Sequence, residues 1–505
     1  MMAGFGYLTT GLAAMLVWLG GGESAVGAAE KAKPNIVIIL GDDFGYGDFG
    51  CYGATKIKTP HVDQIASQGV RFTSGYATGA TCTPTRYALV TGQYAWRRAG
   101  THILPGDAPL CISTNMPTIA SVLKQAGYQT AVVGKWHLGL GSGGPTDYNH
   151  EIDAGPRTLG FDYSFLVPAT GDRVPCVYVE NHRVVNLDTN DPIHLSFKAN
   201  LGDSPTAKTH LELVRPTHRG EDEIRAGTII NGICRIGFMT GGRAALWQDD
   251  SLADTLTSKA LAFIRTNRSK PFFLYFATHD VHAPLAPNPR FNGTSQCGKR
   301  GDTVQQFDWC VGQVLDTLQE LGLADDTLVI LASDNGAGGE YAWQEKEFGH
   351  RVNGPLRGFK VTPYEGGTRV PFMARWPGVI PPAAVSDQVV ALVDCLATAA
   401  AIAGVSLPTN AAPDSVNLLP VFRDPRQPVR DHVITQSGVP SHPACAKQIR
   451  VGQWKLIART DGRHELYDLE NDLAESKDLA EAQPEIVKRL AARLEEAIQS
   501  GHTRN

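Results

Sequence analysis

Residues 34–48 read PNIVIILGDDFGYGD, and their first half decides the fold. Ile36 to Leu40 are apolar without interruption and mostly β-branched. Such a run predicts a strand covered on both faces, the kind found in parallel sheets packed between helices. It stops at Gly41-Asp42-Asp43. Residues 326–340, DTLVILASDNGAGGE, repeat the arrangement, with apolar Leu328 to Leu331 followed by Asp334-Asn335-Gly336. Shorter apolar runs lie between them at 131–133 and 272–276. Helical spacing precedes each later run. Ile119, Leu123 and Ala126 mark a helix over 113–126, and Leu252, Leu256, Phe263 and Ile264 one over 251–266. Val304, Phe307, Val311, Val314 and Leu318 mark a third over 303–321. Strands alternating with helices predict an α/β fold around a largely parallel sheet. Ligands of such folds bind beyond the carboxyl ends of the strands, where the polar clusters after Leu40, Val133, Phe276 and Leu331 fall.

Outward from this frame, residues 33–428 form the expected main domain. Within it 141–248 is irregular and too long for a plain loop, and is read as an insertion shaping the rim of the site. Residues 381–428 read as a last sheet–helix unit and a Pro-rich bridge. From Arg430 the character changes: IRVGQWKLI and HELYDL flank a turn at 459–463, and Ile486, Leu490, Leu494 and Ile498 mark a charged helix. A smaller C-terminal α+β domain over 430–505 follows. Residues 1–29 carry a short apolar run, 11–19, and small residues up to Ala28 and Ala29. They read as a secretory signal peptide, which predicts export to a periplasm or beyond; no Lys or Arg precedes the run, so an uncleaved anchor is the alternative. The net charge of −5 gives no long-range attraction to nucleic acid. Nine cysteines leave one thiol over if the rest pair, and spacing does not give the pairing.

Asp42 and Asp43 are adjacent carboxylates, and their repulsion calls for a positive partner. Asp334 and Asn335 offer two more oxygen donors from a second strand end. Each pair alone also suits a turn; both on one sheet edge favour a hard cation, Ca²⁺ or Mg²⁺. Lys135 and His137, two apart after a strand, fit an anionic substrate, or else an exposed lysine and a core-edge histidine. His279 and His282 follow the 272–276 run, and one of them could protonate a leaving group; hydrogen-bonded loop histidines are the plainer alternative. Lys360 is a third cation before a Gly-rich turn. Cys82 lies in TCTPTR with Arg86 four residues on, a placement that could lower the thiol's pKa. A papain-like protease would use such a thiol, but it would have no need of the carboxylates.

Taken together these residues are similar to the signatures of the type I sulfatases. ATCTPTRYALVTG (80–92) resembles the family's Cys-x-Pro-x-Arg motif, and GYQTAVVGKWH (127–137) its second signature. GDDFGYGDFGCYG, HAPL, SDNG and LRGFK…EGGTRVPF stand in the family's order along the chain after the first 29 residues. The resemblance implies an alkaline-phosphatase-like fold with a mixed, mostly parallel central sheet, and a sulfuric ester hydrolase of the arylsulfatase type. It implies that a separate maturation enzyme oxidises Cys82 to formylglycine, whose hydrated gem-diol is the nucleophile, with Pro84 and Arg86 part of what that enzyme reads. Asp42, Asp43, Asp334, Asn335 and the modified Cys82 would bind Ca²⁺, or Mg²⁺. Lys135 and Lys360 would hold sulfate oxygens, His282 would protonate the leaving alcohol, His137 would take the proton that drives sulfate elimination, and His279 would support substrate binding. An exported enzyme with a long insertion points to sulfated carbohydrates, with Arg173, His182 and Arg183 as candidate contacts to anionic sugars. The rival readings are a phosphate or phosphonate ester hydrolase on the same fold, an inactive binder of sulfated glycans, and a structural envelope protein.

Overall fold

The apolar run of the opening stretch becomes strand β1 (Asn35–Gly41), buried at every residue. It lies inside a ten-stranded sheet in a computed structural model that describes residues 1–9, 33–218, 225–438 and 445–504. The expected signal peptide lies largely outside the described residues. The other strands of this sheet, in chain order, are β2 (Val70–Tyr76), β3 (Gln129–Lys135), β4 (Tyr163–Val167), β5 (Val179–Glu180) and β6 (Arg183–Val184). Then come β7 (Phe272–Ala277), β8 (Thr327–Ser333), β9 (Phe372–Arg375) and β10 (Ala384–Ala391). Their spatial order is β10-β2-β9-β8-β1-β7-β3-β4-β5-β6. Only β9 and β5 run against the rest, so the sheet is mixed and mostly parallel. β1, β7 and β8 are buried throughout, which is why their sequences do not alternate.

The helices that cover the sheet differ from their expected limits for physical reasons. α1 (Pro60–Ser67) and α2 (Cys82–Thr91) come first. α3 is Ile119–Gln125, shorter than the expected 113–126. It cannot start sooner because Thr118 caps it: its Oγ1 accepts the Ser121 amide at 3.0 Å and its own amide donates to Ser121 Oγ at 2.9 Å. α4 is Leu252–Thr266, as its spacing predicts. α5 is Gly298–Glu320 and starts earlier than expected, because its first turn carries the charged Arg300, which is buried rather than solvated.

The segment 141–248 is more than an insertion at the rim. Its residues 163–167 pair in parallel with β3 and, with β5 and β6, widen the central sheet; short two-stranded ribbons account for much of the rest. The C-terminal region forms its own antiparallel sheet, β11 (His432–Ser437), β12 (Ala446–Val451), β13 (Trp454–Arg459) and β14 (His464–Asp468), under helix α6 (Pro484–Gln499). Leu490 and Leu494 of α6 share one core with Ile434, Leu456, Tyr76 and Ala391. Lys33–Asn505 is accordingly one compact unit. None of the nine cysteines is joined to another. Among the described residues no helix is long and apolar enough to cross a membrane.

Candidate active site

The register of three neighbouring strands assembles the site. β1 pairs with β7 through Leu40 and Ala277, and with β8 through Gly41 and Ser333. The residues that follow are therefore brought side by side: Asp42 and Asp43 after β1, His279 and His282 after β7, Asp334 and Asn335 after β8. Lys135 closes β3, the next strand beyond β7. Asp43 sits in left-handed backbone, φ 63°, a conformation Asp tolerates better than most residues. The turn is held by its amide on Asp334 Oδ1 at 3.3 Å and by the Phe44 amide on Ser333 Oγ at 2.9 Å.

Cys82 is the first residue of α2, and Arg86 stands one turn further on the same face. Both are buried. Arg86 does not turn to the thiol. Its Nε donates to Asp334 Oδ2 at 2.9 Å and its Nη1 to the Lys135 carbonyl at 2.8 Å. Burial pushes the Cys82 thiol up, with Lys135 and Lys360 opposing.

Around Cys82 the charges alternate. Lys135 Nζ is 2.5 Å from Asp42 Oδ2, and Lys360 Nζ lies 2.7 and 2.8 Å from the two oxygens of Asp43. Burial, with Asp334 close by, raises the Asp42 carboxyl well above the usual range. Burial acts the same way on Asp43, but Lys360 and Lys135 outweigh it and hold that carboxyl below its ordinary value. His282 Nδ1 donates to the Ala283 carbonyl at 2.6 Å, leaving Nε2 directed at Asp43 Oδ2, 3.8 Å away. Burial and the lysines keep its imidazole neutral. His137 is also in left-handed backbone; its Nε2 donates to the Leu104 carbonyl at 3.0 Å, its carbonyl accepts Thr83 Oγ1, and its buried Nδ1 has no partner. His279 Nε2 has none either, and burial first, then Lys135, holds that ring down to about 4. Gly171 makes room for it, since a Cβ there would stand 2.2 Å from His279 Nε2.

One oxygen donor atom each from Asp42 and Asp43, the Cys82 sulfur and a His282 nitrogen lie within 4.8 Å of one another. Asp42 Oδ1 and Asn335 Oδ1 are buried and accept no hydrogen bond. Unsatisfied hard oxygens beside paired carboxylates are the donor chemistry of a Ca²⁺ or Mg²⁺ site, so these residues fit such a cation. Asn335 also binds the cluster together, its Nδ2 donating to Asp43 Oδ1 at 2.6 Å.

Of the three candidate sugar contacts, His182 is structural: it is 5% exposed and its Nε2 accepts the Arg157 amide at 3.3 Å. Arg183 is exposed and paired with Glu151. Only Arg173 stays near the site, held with Arg225 by the buried Asp172 at 3.4 Å each, and close enough to depress His137. Sequence reasoning missed Arg300. Its guanidinium bonds both oxygens of Asp48 at 2.7 and 2.6 Å and reaches the Asp43 carbonyl at 3.4 Å, with His350 on Asp48 Oδ1 at 2.9 Å. An arginine in a helix reads as solvated, and no sequence signal marks this one as buried.

A family model described as Sulfatase matches residues 34–405, and one described as N-sulphoglucosamine sulphohydrolase, C-terminal, matches 359–500. The chain is 45% identical to an N-acetylgalactosamine-6-O-sulfatase of Bacteroides thetaiotaomicron, over 92% of this chain and 93% of that protein. It is 31% identical to human arylsulfatase A, over 92% of this chain and 88% of that protein. Among solved structures, a sulfatase from a Bacteroides thetaiotaomicron locus for metabolism of multiple glycosaminoglycans superposes with a TM-score of 0.87 at 43% identity, covering 92% of this chain and 99% of that one.

Proposed function

The chain belongs to the sulfatase family and is a sulfuric ester hydrolase, and from that premise we propose that it is exported and removes the 6-O-sulfate of N-acetylgalactosamine in a sulfated glycan. The observation that carries the reading is the gathering of Asp42, Asp43, Cys82 and His282 within 4.8 Å, flanked by Lys135 and Lys360. The sugar and the sulfate position rest on the 45% identity to the enzyme named for that substrate, and export rests on residues 1–29.

Asp42, Asp43, Asp334, Asn335 and residue 82 would hold Ca²⁺ or Mg²⁺, which supplies Lewis-acid polarisation of a sulfate oxygen. Formylglycine, made from Cys82 by a maturation enzyme, would supply a hydrated aldehyde as the nucleophile. The remaining work falls to side chains. Lys135 and Lys360 grip the other sulfate oxygens, and because they are already fixed by carboxylates they need no reorganisation as charge develops. Arg86, locked to Asp334 and to the end of β3, orders α2 and so aims residue 82. His282 Nε2 faces the cluster and gives a proton to the departing sugar oxygen, the incoming sulfate anion offsetting the lysines that keep the free imidazole neutral. His137, with Nε2–H spent on Leu104, offers Nδ1 as the base for the second step. His279 faces the substrate with an unspent nitrogen.

The test is release of sulfate from N-acetylgalactosamine 6-sulfate and its 4-sulfate isomer, and of phosphate from nitrophenyl phosphate, each followed by ion chromatography, with protein from a host that matures formylglycine. The 6-sulfate should be hydrolysed in preference to the others. Preference for the phosphate ester would establish the rival hydrolase, and no turnover of the 6-sulfate would overturn the assignment of sugar and position.

A further inference from the structure

Asp48 ends the turn that follows β1, and it is fully buried. Hydrogen bonds from three elements converge on its carboxylate. Arg300, in the first turn of α5, donates Nη1 to Oδ1 at 2.7 Å and Nη2 to Oδ2 at 2.6 Å. His350 Nε2 donates to Oδ1 at 2.9 Å, and the Gly45 amide donates to Oδ2 at 2.7 Å. Burial alone would raise this carboxyl, but Arg300 and His350 outweigh it and hold it below its ordinary value. Arg300 also reaches the Asp43 carbonyl at 3.4 Å, and its guanidinium lies over the Tyr341 ring, 4.8 Å from the centroid. Tyr341 and His350 belong to the segment after Asn335. Gln344 of that segment donates Nε2 to the Cys297 carbonyl, at the start of α5, at 3.0 Å. One guanidinium thus joins the turn carrying Asp42 and Asp43, the segment that follows Asp334 and Asn335, and α5.

Stability does not account for this arrangement. A cation in the first turn of a helix opposes the helix dipole. A buried ion pair is seldom more stabilising than apolar side chains of the same volume. Arg300 Nε is moreover buried without a hydrogen-bond partner, a further cost. What the fork does fix is geometry. Asp43 sits in left-handed backbone, φ 63°, and its peptide is gripped at both ends, by Arg300 at the carbonyl and by Lys360 and Asn335 at the carboxylate. Oxygens offered by two separate turns can share one cation only if those turns keep their spacing, and groups behind the ligands are what hold it.

We propose that Arg300, Asp48 and His350 are positioning residues for the cation site, and that they set its affinity for a divalent cation by holding Asp43 in register with Asp334 and Asn335. The proposal rests on the reading of Asp42, Asp43, Asp334 and Asn335 as cation ligands. It adds three side chains that touch neither the cation nor the substrate and act through the backbone of Asp43 and the segment after Asn335.

The experiment is calorimetric titration of the mature, EDTA-stripped protein with Ca²⁺ and, separately, with Mg²⁺, in the wild type, Arg300→Lys, His350→Ala and His350→Gln. Arg300→Lys keeps the charge and loses the planar fork, and His350→Gln keeps a donor for Asp48. Arg300→Lys should weaken binding of the preferred cation about 10- to 100-fold, and His350→Ala about tenfold, with His350→Gln restoring most of the loss. Excess cation should bring sulfate release by Arg300→Lys back toward the wild-type rate. Melting temperatures in EDTA report the fold by itself. If Arg300→Lys does not fold, the two His350 variants decide. Lower melting temperatures with cation affinity equal to the wild type in Arg300→Lys and His350→Ala would make the cluster merely structural and overturn the proposal, while leaving the cation site standing. A wild type that binds neither Ca²⁺ nor Mg²⁺ would overturn the cation reading itself, and this proposal with it.

Discussion

At the level of single residues the proposed chemistry turns on His282 and Cys82 and on what surrounds them. His282 keeps Nδ1–H on the Ala283 carbonyl and directs Nε2 to the cluster, so a proton can travel only along that one nitrogen. His282→Ala should slow sugar sulfates, with their poor alkoxide leaving groups, by about 100-fold or more, and nitrophenyl sulfate far less. Leaving-group dependence measured over a series of aryl sulfates checks this; an equal loss on every ester would remove His282 from protonation. The motif residues were legible in the sequence because their spacing carries them to strand ends. What was not legible was orientation. Arg86 was expected beside the thiol and is spent on Asp334 instead. Arg300, a support for Asp43 from behind, gave no signal at all, since burial of a charge depends on a partner, Asp48, distant in the chain.

At the scale of elements, the buried strands were the most legible, because a strand covered on both faces writes its burial into an unbroken apolar run. Helix ends were less so, since Thr118 and Arg300 set them through caps and ion pairs that periodicity does not record. β4 was hidden inside a stretch that lacks any helical partner with clear spacing. The junction of α1 and α5 shows how such long-range bonds act. Thr59 gives α1 no side-chain cap; Asp308 of α5 does so from outside, its Oδ1 accepting the amides of His61 at 2.9 Å and Val62 at 2.8 Å. Burial lifts the Asp308 carboxyl to about 7. A carboxyl whose folded pKa lies above its unfolded value of about 3.9 costs nothing below that value and progressively destabilises the fold as pH rises toward 7. Asp308→Asn keeps the acceptor and removes the titration. Its melting temperature relative to the wild type should therefore be higher at pH 8 than at pH 5, by an amount reflecting on the order of a few kcal/mol. Parallel pH profiles would show that Asp308 is ionised without penalty.

Across the whole molecule, the smaller C-terminal α+β region keeps its own antiparallel sheet, and that sheet is tied to the main one by buried charges. Lys455 of β13 is 2% exposed and bridges Glu475 at 2.8 Å and Glu365 at 3.0 Å, and Glu365 in turn accepts Tyr76 OH at 2.6 Å. Lys455→Met would leave the buried Glu475 without its cation, while Glu365 keeps Arg369 at 3.2 Å, and should cost about 3–5 kcal/mol. Thermal unfolding checks it, and a loss below about 1 kcal/mol would mean that solvent reaches the pair. This link matters for function, because β11 hydrogen-bonds the loop that leads into Cys82 and so places the C-terminal region beside the reacting atoms. The central claim concerns those atoms: residue 82 acts as an aldehyde-derived oxygen nucleophile and not as a thiol. Mass spectrometry of the peptide containing residue 82, read alongside sulfate release across preparations with and without the maturation enzyme, tests it most directly. Activity should rise in proportion to the fraction of Cys82 converted to formylglycine and vanish in Cys82→Ala. Full activity in protein whose residue 82 remains an unmodified thiol would contradict the account.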